Sequence, residues 1–193
     1  MLPSYPVCLE WMDFDPTVEN GSVNYLAVGT LNPWIEIWDL DLVGSLEPEF
    51  ILGSQKAIKK KKDSVKKQKI LGHKKAVLSL SWNKLNKTVL ASGSVDKSII
   101  LWDLQKLKMA TRIKNHTDKV QSVQWHPVEA FSLLSGSSDN TVALYDCRNP
   151  NTNKKTWNLK AEIEQVLWNK FNPNYFIVRK SFQLVFLLLL DFY

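Results

Sequence analysis

Cysteine is scarce in this sequence, since Cys8 and Cys147 are its two cysteines among 193 residues. They do not form a CxxC pair and do not have the cysteine and histidine spacing of a zinc site, which excludes a disulfide framework and a zinc module. Such sparse cysteine is typical of a reducing compartment. Seven glycines and eight prolines are also too few for a collagen-like or low-complexity chain.

Leader patterns and long apolar runs are absent as well. The first 15 residues have no basic stretch followed by an apolar one, so we expect no secretory signal peptide. The longest uncharged apolar stretch, residues 181–190, has about half of the roughly 20 residues that a membrane-spanning helix needs. We therefore expect no membrane anchor.

Residue sets that carry enzyme chemistry are sparse. The chain has three histidines, His73, His116 and His126, and no glycine-rich phosphate loop or metal-spaced set of ligands. We expect no cofactor, no metal and no small-molecule substrate.

Positive charge is concentrated in one segment. The net charge is +6, but residues 55–69 hold eight lysines and one aspartate, or +7, which leaves about −1 for the rest of the chain. The lysines of this segment are Lys56, Lys59, Lys60, Lys61, Lys62, Lys66, Lys67 and Lys69.

This lysine-rich segment has three interpretations, which stay open at this point. It is a solvated loop that projects from the fold, a nuclear or nucleolar localisation patch that an import receptor binds, or a weak nonspecific contact for RNA phosphates. No aromatic residue lies among the lysines, so contact with RNA would be electrostatic and without base stacking.

Tryptophan is abundant, with eight residues, and most of the tryptophans recur at a fixed spacing. The stretch GHKKAVLSLSWNKLNKTVLASGSVDKSIILWDL aligns without a gap on NHTDKVQSVQWHPVEAFSLLSGSSDNTVALYDC, 43 residues later. Trp82 aligns with Trp125, and a further step of 43 residues reaches Trp168. A degenerate upstream copy has matching residues at Trp11, Gly29 and Trp38.

The pattern within each unit predicts strands. VLSLSW and VQSVQW mix apolar and small polar residues, TVLASGS and SLLSGS end in turn residues, and SIILWDL and TVALYDC are rich in branched and aromatic residues. A period in the low forties with a GH pair, a turn aspartate and a WD pair is typical of four-stranded propeller blades. We therefore predict an all-β fold of the β-propeller type.

These motifs resemble those of the WD-repeat family, and within it the periodic-tryptophan group. The stretches that carry the resemblance are LASGSVDKSIILWDL, NHTDKVQSVQWHPVEA, VALYDCRNP and the lysine-rich segment. The resemblance implies a non-catalytic scaffold for ribosome biogenesis and rRNA processing, in the nucleus and nucleolus, with a link to chromatin at ribosomal genes. The implied partners are proteins of pre-ribosomal or chromatin complexes.

Two other function classes remain as alternatives. One is a WD-repeat adaptor in a different nuclear complex, which would bind histones or dock the substrates of a ubiquitin ligase. The remote alternative is a serine hydrolase built on the histidine, serine and aspartate residues of the repeat.

The spacing divides the chain into a propeller segment, residues 5–178, and a divergent apolar tail, residues 179–193. Its units are residues 5–54, 70–113, 114–160 and 161–178, and the lysine-rich insertion 55–69 separates the first two. In the fourth unit Arg179 replaces the repeat glycine. We therefore expect a partial propeller of about three blades plus the start of a fourth, with unpaired strand edges that favour aggregation.

Two sets of residues at the repeat period contain the residue types of a nucleophilic triad. Because an enzyme needs one triad and the set occurs twice, we predict buried hydrogen-bond chains that stabilise the blades, as the family resemblance implies. The sets are His73, Ser92, Asp96 and Trp102, and His116, Ser135, Asp139 and Tyr145.

The remaining aromatic and histidine positions also follow from the repeat. We expect the tryptophans that end the first strands to fill the core between blades: Trp11, Trp82, Trp125 and Trp168. Trp34 and Trp157 lie outside the register, and one of them is a candidate anchor for a partner. His126 occupies the place of Asn83 and Asn169, which predicts a polar role in a turn.

Substitution of Lys59, Lys60, Lys61 and Lys62 by alanine tests the localisation hypothesis. Import receptors bind clustered lysines, so we expect a fluorescent fusion of the variant to lose its nuclear enrichment. Imaging of the two fusions in living cells measures this, and unchanged enrichment would remove the localisation hypothesis.

Overall fold

The structure is a computed structural model that describes residues 4–14, 23–53, 72–150, 152–181 and 183–188. These residues form fifteen β-strands and no helix, so the all-β prediction is confirmed. The lysine-rich segment lies outside the described residues. Its three interpretations therefore stay predictions.

The strands form four antiparallel sheets, which we call blades 1 to 4 in chain order. Blade 1 contains β1 (Pro6–Met12), β2 (Tyr25–Thr30), β3 (Ile35–Asp39) and β4 (Phe50–Leu52). Blade 2 contains β5 (Val77–Trp82), β6 (Val89–Ser94), β7 (Ile99–Asp103) and β8 (Lys108–Ile113). Blade 3 contains β9 (Val120–Trp125), β10 (Ser132–Ser137), β11 (Thr141–Asp146) and β12 (Lys154–Asn158). Blade 4 contains β13 (Ile163–Trp168), β14 (Tyr175–Lys180) and β15 (Gln183–Leu188).

Blade 4 continues past residue 178, where the repeat pattern ends. β14 reaches Lys180, and β15 pairs with β14 over its full length, from Tyr175 opposite Leu188 to Lys180 opposite Gln183. Strand pairing requires backbone groups and β-prone residues, which the tail has, and does not require the glycine and aspartate of the repeat. Part of the predicted divergent tail, 179–193, is therefore the third strand of blade 4.

The hydrophobic core lies between the blades. Three apolar clusters fill the spaces between consecutive sheets. Leu52 of blade 1 lies in one cluster with Trp102 of blade 2. The second cluster contains Ile113 of blade 2 and Trp125 of blade 3, and the third contains Leu134 of blade 3 and Phe176 of blade 4. Each sheet therefore buries its apolar faces against its neighbours, as in other repeat architectures.

Glycines in the second strands set how closely the blades approach. A Cβ atom added to Gly93 would lie 2.8 Å from Val120 Cγ1, and one added to Gly136 would lie 2.5 Å from Ile163 Cγ2. Both distances are too short for real Cβ contacts, so the next blade packs directly on the backbone at these positions. Arg179, the equivalent residue of blade 4, is exposed and pairs with Glu164 at 3.0 Å.

Every blade carries a β-bulge at the same place, where its first strand pairs with its second. The pairing register shifts across Val7, Leu78, Gln121 and Glu164 in the four blades. A bulge adds one unpaired residue and increases the local twist of the sheet. All four sheets therefore bend alike, which keeps consecutive faces in contact.

The prediction for the first-strand tryptophans is wrong for Trp11. Trp82, Trp125 and Trp168 are 3%, 7% and 6% exposed, whereas Trp11 is 50% exposed. These three side chains pack in the clusters towards the preceding blade. The corresponding face of blade 1 points away from blade 2, and no described strand covers it.

Trp11 and Trp82 provide a matched test of where the core lies. We expect Trp82→Ala to lower the free energy of unfolding by about 3 to 5 kcal/mol, because it leaves a cavity between blades 1 and 2. Trp11→Ala should cost about 1 kcal/mol or less, because the side chain is half exposed. Denaturant unfolding of both variants measures the difference, and equal losses would contradict the assignment.

Candidate functional site

The first predicted set comes together in blade 2. Trp102 Nε1 donates to Ser92 Oγ at 2.8 Å, Ser92 Oγ lies 2.8 Å from His73 Nε2, and His73 Nδ1 lies 3.1 Å from Asp96 Oδ1. Since the Asp96 carboxylate only accepts, His73 Nδ1 carries the proton and donates to it. In the neutral imidazole, Nε2 then accepts from the Ser92 hydroxyl, which itself accepts from the indole N–H. The chain ties the loop before β5 to the turn between β6 and β7.

Blade 3 repeats this arrangement in three of its four residues. His116 Nε2 lies 2.7 Å from Ser135 Oγ, and His116 Nδ1 lies 3.0 Å from Asp139 Oδ2. The prediction fails for Tyr145, whose buried hydroxyl has no hydrogen-bond partner among the described residues. Burial raises the pKa of Tyr145 to about 12, and Ser135 lies close enough to oppose that rise. The Tyr145 ring therefore lies near Ser135, but its hydroxyl does not make the hydrogen bond that Trp102 makes to Ser92.

Electrostatics keep the two aspartates ionised. Burial acts to raise the pKa of Asp96, but hydrogen bonds from His73 and Ser98 outweigh it and hold the pKa well below its usual range. The pKa of Asp139 is lowered in the same way, with burial opposed by the Thr141 hydroxyl. Burial lowers the pKa of His116 although the Asp139 carboxylate opposes this, so His116 is neutral at neutral pH. Each carboxylate thus holds its histidine in place by accepting a hydrogen bond from it.

The chemistry available to these sets is limited by burial. Ser92 and Ser135 are 0% exposed, and His73 and His116 are buried with them. A nucleophilic serine must reach the reacting atom of a substrate. Neither serine oxygen is accessible in this structure, so the arrangement is suited to holding strands together.

Blade 1 has a different polar cluster, which the repeat did not predict. Glu36 is buried in β3 and accepts two indole N–H bonds, from Trp34 Nε1 at 3.2 Å to Oε1 and from Trp38 Nε1 at 3.3 Å to Oε2. An acidic residue between the apolar residues Ile35 and Ile37 was the available signal. Trp34 is therefore half-buried and hydrogen-bonded, and Trp157 packs on Phe176 with ring centroids 5.5 Å apart.

A further polar position joins neighbouring blades. Asn83 Oδ1 accepts the backbone N–H groups of Leu85 and Asn86 at 3.1 and 2.8 Å, while its Nδ2 donates to the Ala130 carbonyl of blade 3 at 2.7 Å. The Asn83 amide therefore shapes its own turn and holds the next blade.

His126 makes the equivalent hydrogen bonds one blade later. Its Nδ1 accepts the N–H groups of Val128 and Glu129 at 3.2 and 3.0 Å, which confirms the predicted turn role. Its Nε2 lies 3.1 Å from the Pro173 carbonyl, which only accepts, so Nε2 carries the proton. The contact with blade 4 could not be predicted from the turn position.

Two other kinds of site are absent from the described ranges. No cluster of three or more histidine, cysteine, aspartate or glutamate side chains could hold a metal ion there. Nor does this part of the chain contain a helix with the length and apolarity to cross a bilayer.

The repeats match a known family model. The model for the WD domain, G-beta repeat, matches residues 64–103 and 107–146, which end at the third strands of blades 2 and 3. The chain therefore contains two WD repeats.

Part of the chain is also similar to periodic tryptophan proteins. It is 44% identical over 113 residues to the periodic tryptophan protein 1 homolog of Drosophila melanogaster, which covers 58% of this chain and 23% of that protein. It is 42% identical over 113 residues to periodic tryptophan protein 1 of Saccharomyces cerevisiae, covering 54% and 20%. An uncharacterised WD repeat-containing protein of Schizosaccharomyces pombe is 45% identical over 106 residues, covering 54% and 20%. The matches thus span less than a quarter of each relative.

A solved structure supports the fold. This chain aligns with a chain in the crystal structure of the mitotic checkpoint complex at a TM-score of 0.66 and 17% identity, over 84% of this chain and 46% of that one. At that identity the likeness concerns the fold alone. Together with the four sheets it confirms the predicted partial propeller.

The hydrogen bonds of His126 make the free energy of unfolding depend on pH. Burial lowers the pKa of His126 below its ordinary value, against the opposing effects of the Pro173 hydrogen bond and the Glu129 charge. The unfolded chain therefore binds more protons below about pH 6.5, and folding stability is lost as the pH falls through that value. Protonation of Nδ1 would also remove the acceptor of two backbone N–H groups.

We expect His126→Asn to weaken this loss, because Asn83 makes the same three bonds without titrating. Unfolding free energies of the variant and the parent chain at about pH 7.5 and about pH 5.5 measure it. The free energy of unfolding of the variant should fall less between the two pH values than that of the parent chain. The contribution of His116 remains in both proteins. Equal falls would mean that His126 does not carry the effect.

Proposed function

We propose that this WD-repeat chain is a non-catalytic protein-interaction scaffold in ribosome biogenesis and rRNA processing, located in the nucleus and nucleolus. The observation that carries the proposal is the identity of 42% and 44% to two periodic tryptophan proteins. The role in ribosome biogenesis and the link to chromatin at ribosomal genes come from that family resemblance.

The burial of the two repeated polar sets supports a non-catalytic role. Ser92 and Ser135 are fully buried, and each is already engaged by a histidine. A serine hydrolase needs an accessible serine and a site for the oxyanion beside it. The repetition of the same set in two blades is instead what a stabilising hydrogen-bond chain requires.

The arrangement of the loops supports a scaffold. Strand ends in blades 2 and 3 are held by the His73–Asp96 and His116–Asp139 contacts on one edge and by Asn83 and His126 on the other. Loops held in this way keep their shape, and a preformed surface loses less entropy when a partner binds.

Affinity purification tests the proposed function. A tagged chain, expressed in cells and purified from nuclear extract, should bring down pre-ribosomal proteins and should sediment with pre-ribosomal particles on a sucrose gradient. The matched control is the Trp82→Ala variant, which we expect to lose these partners together with its stability.

Other outcomes of the same experiment would redirect the proposal. Histones or ubiquitin-ligase subunits in place of pre-ribosomal proteins would favour an adaptor in another nuclear complex. Covalent labelling of Ser92 or Ser135 in the folded chain by an active-site serine probe would contradict the non-catalytic assignment.

A further inference from the structure

Three large apolar side chains are exposed at one position of the repeat. Leu85, Val128 and Phe171 are 51%, 62% and 98% exposed, and each lies between the first and second strand of its blade. The positions are 43 residues apart, so they are equivalent in blades 2, 3 and 4. Single exposed apolar residues are ordinary on protein surfaces, but three at equivalent positions form an ordered set. We call these three residues the apolar row.

The backbone fixes each member of the apolar row in the same turn. The N–H of Leu85 donates to Asn83 Oδ1 at 3.1 Å, that of Phe171 donates to Asn169 Oδ1 at 2.9 Å, and Val128 makes the equivalent bond to His126. A side chain that accepts an N–H two residues later closes a tight local turn. Each apolar side chain is thereby presented to solvent on a turn with a defined shape.

The turns are also bonded to one another across the blades. Asn83 Nδ2 donates to Ala130 O in the turn that carries Val128, and His126 Nε2 donates to Pro173 O in the loop that carries Phe171. The three turns therefore form one continuous, preorganised edge of the molecule. A partner that binds along it would not have to order the loops first.

The charges beside the apolar row are mostly positive. Lys84 and Lys170 are exposed and directly precede Leu85 and Phe171. Glu129, the acidic residue of these turns, is half-buried and accepts the Ser132 hydroxyl at 2.8 Å.

A cleft continues this basic surface on blade 3. Its volume is about 340 Å³, and its charged lining residues are Glu129, Asp146, Arg148, Lys154 and Lys155. Arg148 pairs with Asp146 at 2.7 Å, so the lysines supply the excess positive charge of the cleft. The Arg148 guanidinium lies 5.4 Å from the ring centroid of Phe131, which is exposed next to the same turn. Acidic side chains placed between apolar ones would therefore meet complementary charge here.

We propose that the apolar row docks an extended segment of a partner protein, in which spaced apolar side chains alternate with acidic residues. The proposal rests on the scaffold function proposed above and names its binding surface. One apolar residue per blade, with polar residues between, suits side chains spaced along a peptide. A second copy of the chain docked on the same edge would place lysines against lysines, which is unfavourable.

Peptide display tests the proposal without a known partner. A random peptide library is selected on the immobilised chain, and the recovered peptides are synthesised and titrated by fluorescence anisotropy. We expect enrichment of spaced Leu, Phe or Ile with Asp and Glu. Binding should weaken by about tenfold or more in the triple variant Leu85→Ser, Val128→Ser and Phe171→Ser. It should also weaken in Lys84→Glu with Lys170→Glu, and with added salt.

Leu31→Ser is the matched control, because Leu31 is 59% exposed in the loop between β2 and β3, at the opposite edge of its blade. It should leave peptide binding unchanged. The thermal stability of all variants should be close to that of the parent chain, since the substituted residues are exposed.

Several results would overturn the proposal: no enriched peptide, enriched peptides that are basic, or peptides that bind the triple variant as tightly as the parent. Self-association lost in the triple variant, measured by sedimentation, would assign the apolar row to a second copy instead. If the triple variant still brings down pre-ribosomal proteins, the docking role of the apolar row is wrong and the proposed function stands. If the parent chain brings down no pre-ribosomal proteins, the proposed function is wrong, and the peptide-binding measurements still test whether the apolar row docks a peptide.

Discussion

The structure depends on the close approach of consecutive blades. Each sheet buries its apolar residues against its neighbour, and Gly93 and Gly136 let the next blade touch the backbone, where a Cβ atom would be too close to Val120 or Ile163. A shift of one blade would open the apolar layer beside it and lose burial worth about 25 cal/mol for each Å² exposed. The identical bulges in the first strands give the sheets the shape that this contact requires.

Polar contacts act within the geometry that the apolar layers set. The chain from Trp102 to Asp96 holds three parts of blade 2 together, and Asn83 and His126 reach the next blade over distances that only packed sheets allow. The same contacts keep the loops at both edges in fixed shapes. This arrangement supports the proposed scaffold function, since loops of fixed shape lose less entropy when a partner binds.

The repeat in the sequence predicted most of the fold, and its failures have physical reasons. The tryptophan spacing located the blades, and Trp82, Trp125 and Trp168 lie in the core as expected. Trp11 occupies the same repeat position but is half exposed, because burial depends on a neighbouring sheet as well as on the residue. Tyr145 aligns with Trp102 but lacks its bond, because a phenol places its donor at a different point from an indole.

The sequence by itself determined the period, the strand positions and the residues that can form the buried polar chains, because these are local patterns repeated along the chain. The tertiary structure alone decided which faces are covered, that Asn83 and His126 bond to the next blade, and that Leu85, Val128 and Phe171 lie on one joined edge. It also decided that β15 completes a third strand of blade 4. These features depend on contacts between residues far apart in the chain, and a repeat pattern does not specify such contacts.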